Sequence, residues 1–475
     1  MKKLFLYVLL IGATSLGCRK IEIDGGTTTT IINNGGGGDS TLENTILEGR
    51  ITANRTLKAQ YTYKLRGLVY VTNGAILTIE PGTKIVGENG KNGGLIITRS
   101  CKIIADGTAD KPIVFTSEAA NPQRGDWAGL VLLGQAPTNA SFNGVQGVGA
   151  VEGGINNSDN LGLFGTPATQ GQNPADNSGI LRYVRIEYAG YAFLPDNEIN
   201  GLTFGGVGNK TIIDNVQVSY ANDDSYEWFG GTVNCTHLIS YRTLDDDFDT
   251  DNGFSGKVQF GISLRDSAVA DISKSEAFES DNDANGSALL PQTAAIFSNM
   301  TVMGPKATLS NTGNSLFVWG AQIRRNSTIS IFNSIIMGYP NSLYIDATKG
   351  VPTDNNITAG TLAVQNTIIA GCPNPVLYSI SGNSNTPTTV NTTATITDWF
   401  NTVAYGNSIL TNCSDAGLIA PFNYLTPDFN PASGSPAVSG ANFTNTKLLT
   451  GFTTVTYKGA CAVGDTWWKN WTKYM

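Results

Sequence analysis

Asn333-Ser-Ile-Ile-Met-Gly-Tyr-Pro-Asn-Ser-Leu-Tyr344 and Asn366-Thr-Ile-Ile-Ala-Gly-Cys-Pro-Asn-Pro-Val-Leu-Tyr378 are one pattern written twice, with a single residue inserted in the second copy. Each copy opens on Asn, runs through a short β-branched stretch and stops at Gly, which reads as turn, strand and strand end. The unit recurs at Asn215-Val-Gln-Val, Asn299-Met-Thr-Val-Met-Gly304 and Asn401-Thr-Val-Ala-Tyr-Gly406. The copies at 299, 333, 366 and 401 begin 34, 33 and 35 residues apart. Short strands at a near-fixed period suit the coils of a solenoid, where each coil is buried only by its neighbours. An Asn returning at one turn is what a ladder of stacked side-chain amides requires.

Working outward, the N-terminal stretch has the same texture. Ala75-Ile-Leu-Thr-Ile-Glu-Pro-Gly-Thr-Lys-Ile-Val-Gly87, Gly94-Leu-Ile-Ile-Thr98, Cys101-Lys-Ile-Ile-Ala-Asp-Gly-Thr108 and Lys111-Pro-Ile-Val-Phe-Thr-Ser117 are short strands between Gly/Pro turns. Phe429-Asn-Pro-Ala-Ser-Gly-Ser-Pro-Ala437 resembles the terminal-coil signature of many β-helix proteins. Together these segments resemble the pectate-lyase-like family. That resemblance implies an all-β chain folded as a right-handed parallel β-helix, with short strands and irregular loops. No Trp-marked period of a β-propeller blade appears, and a jelly roll would need hairpin signals and fewer strands.

The first residues, MKKLFLYVLLIGATSLGC, place two lysines before an apolar run too short to span a bilayer. Ser15-Leu16-Gly17-Cys18 resembles a lipobox, so residues 1–17 are expected to be a lipoprotein signal peptide and Cys18 the lipidated residue. One diacylglyceryl unit plus an N-acyl chain would anchor the chain without a transmembrane helix. Residues 18–44, rich in Gly, Thr and Asn, read as a flexible tether, within which Asp39-Ser40-Thr41 resembles an O-glycosylation acceptor. The β-helix is expected over 45–440 and a C-terminal cap segment over 441–475. Loss of Lys2 and Lys3 takes the formal charge from −8 to about −10, which argues against nucleic acid as a partner. With Cys18 lipidated, Cys101, Cys235, Cys372, Cys413 and Cys461 remain, and one bridge among the last three is expected in an oxidising envelope.

Three successive units carry acids in register: Tyr226-Glu227-Trp228, Phe248-Asp249-Thr250-Asp251-Asn252 and Phe278-Glu279-Ser280-Asp281-Asn282. The steps between them are 22 and 30 residues. Stacked strands would bring Glu227, Asp249 and Glu279 to one face about 4.8 Å apart, with Asp251 and Asp281 two positions on. Asp223, Asp224, Asp245, Asp246, Asp247 and Asp283 surround them. Like charges at that spacing need compensation. Ca²⁺ held by Glu227, Asp249, Asp251, Glu279, Asp281 and Asp283 is one solution. Pairing with Arg242, Arg265, Arg324 or Arg325 is the other, and it would leave a solvated acidic face. Beside the acids stand Tyr188, Tyr191, Phe193, Tyr220, Tyr226, Trp228, Phe229 and Trp319. Tyr226, Trp228 and Trp319, with Arg265 and Arg324, are ligand-binding candidates if the rings are exposed to stack on sugars; otherwise the aromatics are core.

Arg185-Ile-Glu-Tyr-Ala-Gly190, Asn197-Glu-Ile-Asn-Gly-Leu-Thr-Phe-Gly-Gly206, Glu227-Trp-Phe-Gly-Gly231, Phe248-Asp-Thr-Asp251 and Phe278-Glu-Ser-Asp-Asn-Asp283 resemble blocks of a family of Bacteroidetes exported lipoproteins without an assigned activity. The resemblance extends to Tyr457-Lys-Gly-Ala460 and Trp467-Trp-Lys-Asn-Trp471. It implies an outer-membrane lipoprotein, facing either the surface or the periplasm. The leading reading of function is a noncatalytic protein binding glycan or a protein partner through an aromatic-acidic face, with Ca²⁺ as the candidate assisting ion. One alternative is a Ca²⁺-dependent polysaccharide lyase, with Arg265 or Arg324 as base, or a glycoside hydrolase; the other is a structural envelope or surface-layer component. His237 is the only His, which leaves almost no room for His acid–base chemistry.

Overall fold

The computed structural model describes residues 43–475, apart from 154, 156–158 and 195–196. The expected signal peptide, the lipidation site Cys18 and most of the expected tether lie outside the described residues. Twenty-eight of the described strands join one continuous sheet, and its pairings are parallel throughout: a parallel β-helix. Three short strands make up a typical coil. The face that matters for function is built from Gly94–Ile97, Gly129–Leu133, Leu202–Gly205, Tyr226–Phe229, Phe248–Asp251, Phe278–Ser280, Trp319–Arg324, Asn341–Asp346 and Asn374–Ser379, each paired to the next. Among the described residues no helix is long and apolar enough to cross a membrane.

The repeat read from sequence holds to the residue in the copies at 299, 333 and 366. Ile335 pairs with Ile368, Ile336 with Ile369, and Asn341 with Asn374. Asn215, Asn299, Asn333 and Asn366 all adopt φ of 52–56°, a left-handed bend between two strands of each coil. Tyr183, His237 and Phe260 occupy the same bend in neighbouring coils, at φ of 49–63°. Asn tolerates this conformation because its short amide bonds locally. The expected amide-to-amide ladder is not what forms. Asn299 Nδ2 donates to the Tyr457 carbonyl and Asn333 Nδ2 to the Asn442 carbonyl, so the Asn column is bonded largely to the C-terminal segment. Asn401 is no fifth member: Ile368 pairs with Ser408, which puts Gly406 (φ 65°) at the bend and leaves Asn401 closing the helix Thr393–Phe400.

That C-terminal segment does not cap an end. It runs back along the outside of the helix, where Ile239, Ile262, Met303, Ile335, Met337 and Ile368 form a second apolar face under Phe429, Trp468 and Trp471. Its contacts touch several coils: Asn442 bonds Asn333, Thr453 bonds Gln259 and Tyr457 bonds Asn299, and the last stretch sets Trp467 against His237 and Trp471 against Tyr183. The five described cysteines are buried and free, correcting the expected bridge. Cys372 belongs to the inner core, whereas Cys413 and Cys461 pack in the outer cluster.

Candidate functional site

Strand register decides which ladder side chains meet. Along the first face, Thr203, Glu227, Asp249, Glu279 and Gln322 are successive partners. Their sequence neighbours Tyr226, Phe248 and Phe278 alternate inward, where their rings stack at 5.7 and 5.6 Å. Two ligand-binding candidates are thereby corrected. Tyr226 and Trp228 are fully buried, and Trp228 lies between Phe204 and Phe254 at 5.4 and 5.3 Å. A strand exposes alternate residues, so a face that presents Glu227 outward must turn both flanking rings into the core. Trp319 is half-buried, with Tyr344 stacked on it at 5.0 Å and the Lys274 ammonium 4.6 Å from its centroid.

A second acidic column stands three residues before the first, in the turns leading into the strands. Asp246 N–H donates to Asp224 Oδ1 at 2.8 Å, Glu276 N–H to Asp246 Oδ1 at 2.5 Å, and Asp224 N–H to Asn200 Oδ1 at 3.2 Å. Each side chain thus receives the backbone of the following coil, which fixes the turns in register. The sequence signal for this column is acid-x-x-acid, repeated as Asp224/Glu227, Asp246/Asp249 and Glu276/Glu279 and preceded by Asn200/Thr203. Taken only as surrounding acids, Asp224 and Asp246 do not disclose this column, and Glu276 escapes notice without the spacing.

The two columns and two overhanging loops enclose a cavity of about 390 Å³. Its carboxylates come from Asp223, Asp224, Glu227, Asp245, Asp246, Asp249 and Glu279, with Glu152 and Asp271 from the loops; among the described residues no lysine or arginine lines it. Three sets, Asp223/Asp224/Asp245, Asp224/Glu227/Asp249 and Asp246/Glu276/Glu279, each bring three oxygens within 4.8 Å of one another. Desolvation first, and neighbouring carboxylates second, push Asp224, Glu227, Asp246 and Asp249 far above the usual carboxylate range. By the same cause Asp245 is raised to about 7 and Glu276 to about 8. One oxygen of Asp245 is buried without a donor, although its other oxygen accepts from Ser273 at 2.8 Å.

The remaining candidates lie outside this cavity. Asp281 is taken by Arg324 at 2.9 Å and Arg325 at 2.7 Å, and Asp283 accepts from Ser287 Oγ at 2.6 Å inside its own loop. Asp251 accepts from the Asn252 N–H, and burial followed by Asp281 raises it to about 8. Arg324 also bridges to Glu279 at 2.5 Å, which closes the acidic column at one end. Arg265 is wholly buried behind the cavity. Its guanidinium pairs with Asp247 at 3.1 Å, donates to the carbonyls of Leu244, Asp245 and Glu276, and lies 5.0 Å from the Phe317 ring. It clamps the turns that present Asp245, Asp246 and Glu276, and does not reach the cavity surface.

A hard divalent cation fits this donor set. Ca²⁺ holds oxygens at about 2.3–2.6 Å, so ligands on opposite sides of one ion stand about 4.6–5.2 Å apart. Oxygens grouped within 4.8 Å of one another fall within that span. The donors are carboxylates, the amides of Asn200 and Asn222 and the Ser273 hydroxyl, and among the described residues no thiol or imidazole lines the cavity, which suits oxygen-preferring metals.

The family model described as a pectate-lyase like beta helix domain matches residues 49–414, a span that includes every strand contributing to the cavity. No curated protein and no solved structure matches the chain. With parallel strands stacked coil on coil through that span, the chain belongs to the pectate-lyase-like β-helix family.

Proposed function

We propose that the protein is an exported, lipid-anchored β-helix of the bacterial outer membrane that holds Ca²⁺ in its acidic cavity and binds a glycan or protein partner through that ion, without catalysis. The observation carrying this reading is the triple grouping of carboxylate oxygens within 4.8 Å in a cavity that, among the described residues, no basic side chain lines. Uncompensated, such a cluster repels itself; a cation turns the repulsion into coordination. The exported, anchored part rests on Lys2-Lys3, the apolar run and Cys18. The bridging role replaces the aromatic-acidic face, because Tyr226 and Trp228 are core residues. Over a lyase with an arginine base, the noncatalytic reading is favoured by the arginines. Arg265 is buried in an ion pair, and the carboxylates of Glu279 and Asp281 hold the Arg324 guanidinium firmly protonated against its burial, so neither offers a base.

Calcium titration of chelator-treated protein by calorimetry tests this. Saturable binding is expected, weakened at least about tenfold in Glu227→Gln/Asp249→Asn, because affinity follows the number of charged ligands. No saturable heat up to millimolar calcium, or equal binding in the double variant, overturns the proposal.

A further inference from the structure

A second concavity, of about 380 Å³, lies at the other ends of the strands, near residues 98–100 and under the loop of residues 160–170. Its chemistry is the reverse of the acidic cavity. Among the described residues Arg99 is its one charged side chain; the rest of its polar lining is amide and hydroxyl, from Gln135, Asn160, Gln170, Thr98, Ser100 and Thr166. Among the described residues Arg99 makes no ion pair, although Arg50, Arg55, Arg66, Arg182, Arg185, Arg242, Arg265, Arg324 and Arg325 all do. Nη1 of Arg99 donates to the Gly165 carbonyl at 3.1 Å, which fixes the guanidinium and leaves its Nε and Nη2 donors uncommitted to described residues. Partial burial lowers its pKa with no nearby carboxylate to offset the cost. In a chain of net charge −8, an arginine desolvated without a counterion is a preorganised anion receptor.

We infer that this pocket binds the carboxylate end of a short peptide or acylated amino acid, independently of the metal proposed above. One fixed positive charge matches one carboxylate, which the free edge of the guanidinium takes in a bidentate fork. Side-chain amides offer a donor and an acceptor together, the complement of a peptide group. Leu161 and Pro167 supply an apolar wall for a small side chain. The volume is at the small end for ligand pockets, enough for one or two residues.

The test is a calorimetric or NMR titration of the whole protein with N-acetyl-Ala-Ala, its C-terminal amide and D-glucuronate, each run in EDTA and in calcium. Saturable binding of the free acid is expected, falling at least about tenfold for the amide and for Arg99→Gln, and equal in EDTA and in calcium. Circular dichroism and melting of Arg99→Gln confirm that the fold is kept. Equal binding of acid and amide, tighter binding of glucuronate, no effect of Arg99→Gln or no binding at all overturns the inference. Failure of the calcium reading shows instead in the separate titration of the Glu227→Gln/Asp249→Asn variant.

Discussion

Arg265→Ala is expected to cost about 3–5 kcal/mol of folding stability, read as a lowered midpoint in urea denaturation. The side chain is wholly buried, and so is Asp247, its ion-pair partner. Removing the guanidinium strands the carboxylate in the core with Ser240 Oγ, 2.5 Å away, as its main remaining donor. It also orphans the carbonyls of Leu244, Asp245 and Glu276. Replacing both members, as in Arg265→Met/Asp247→Leu, should recover a good part of the loss, since a buried pair costs desolvation that apolar groups avoid. A loss below about 1 kcal/mol in the single variant would show that the pair is not the clamp its geometry suggests. Because Arg265 holds the turns carrying Asp245, Asp246 and Glu276, calcium affinity should fall in the single variant as well.

In calcium-free buffer the melting temperature is expected to fall as pH rises from about 5 to about 8, by on the order of 5 °C. Asp245, Glu276 and Asp251 hold their protons in the fold up to about 7, 8 and 8, whereas an unfolded chain releases them near pH 4. Between those limits the folded state binds more protons, so stability is full below the unfolded values and is lost as pH climbs through the folded ones. The groups facing them include Glu279, Asp281, Arg324, Arg325 and Arg265, whose charges are already opposed or paired. Under the proposed function calcium is expected to reverse the trend, because the ion would take the place of the protons and bind better as they leave. Scanning calorimetry across that range, in EDTA and in calcium, checks both arms. A flat profile in EDTA, or one that calcium does not change, contradicts the assigned cavity.

Much of this was legible in sequence where local signals and the coil period agree. Asn333 and Asn366 share a bend, a strand and a Gly, so their alignment fixes a register that Ile335 and Ile368 obey. Asn401 follows a long excursion with its own helix, and there a matching motif says nothing about which residue turns the corner. Glu227, Asp249 and Glu279 were found by stacking repeats. Asp281 pairs with Arg324 and Arg325, the arginine alternative that sequence offers, although no spacing says which carboxylate arginines more than forty residues away will take. Period-two alternation already required Tyr226 and Trp228 to face the side opposite Glu227. The composition of the segment, rich in rings and acids together, pulled the reading towards an exposed sugar platform instead.

The returning C-terminal segment changes how such a molecule should come apart. A bare stack of coils melts like a one-dimensional array, fraying from whichever end is weakest, because each coil answers only to its neighbours. Here Asn442, Thr453, Tyr457, Trp467 and Trp471 lash coils that are far apart along the axis to one continuous strip of chain. Fraying at one coil then strips contacts from the tie that holds the others. The array is thereby made cooperative, and the acidic cavity, built from coils inside the lashed region, keeps its geometry until the whole assembly lets go.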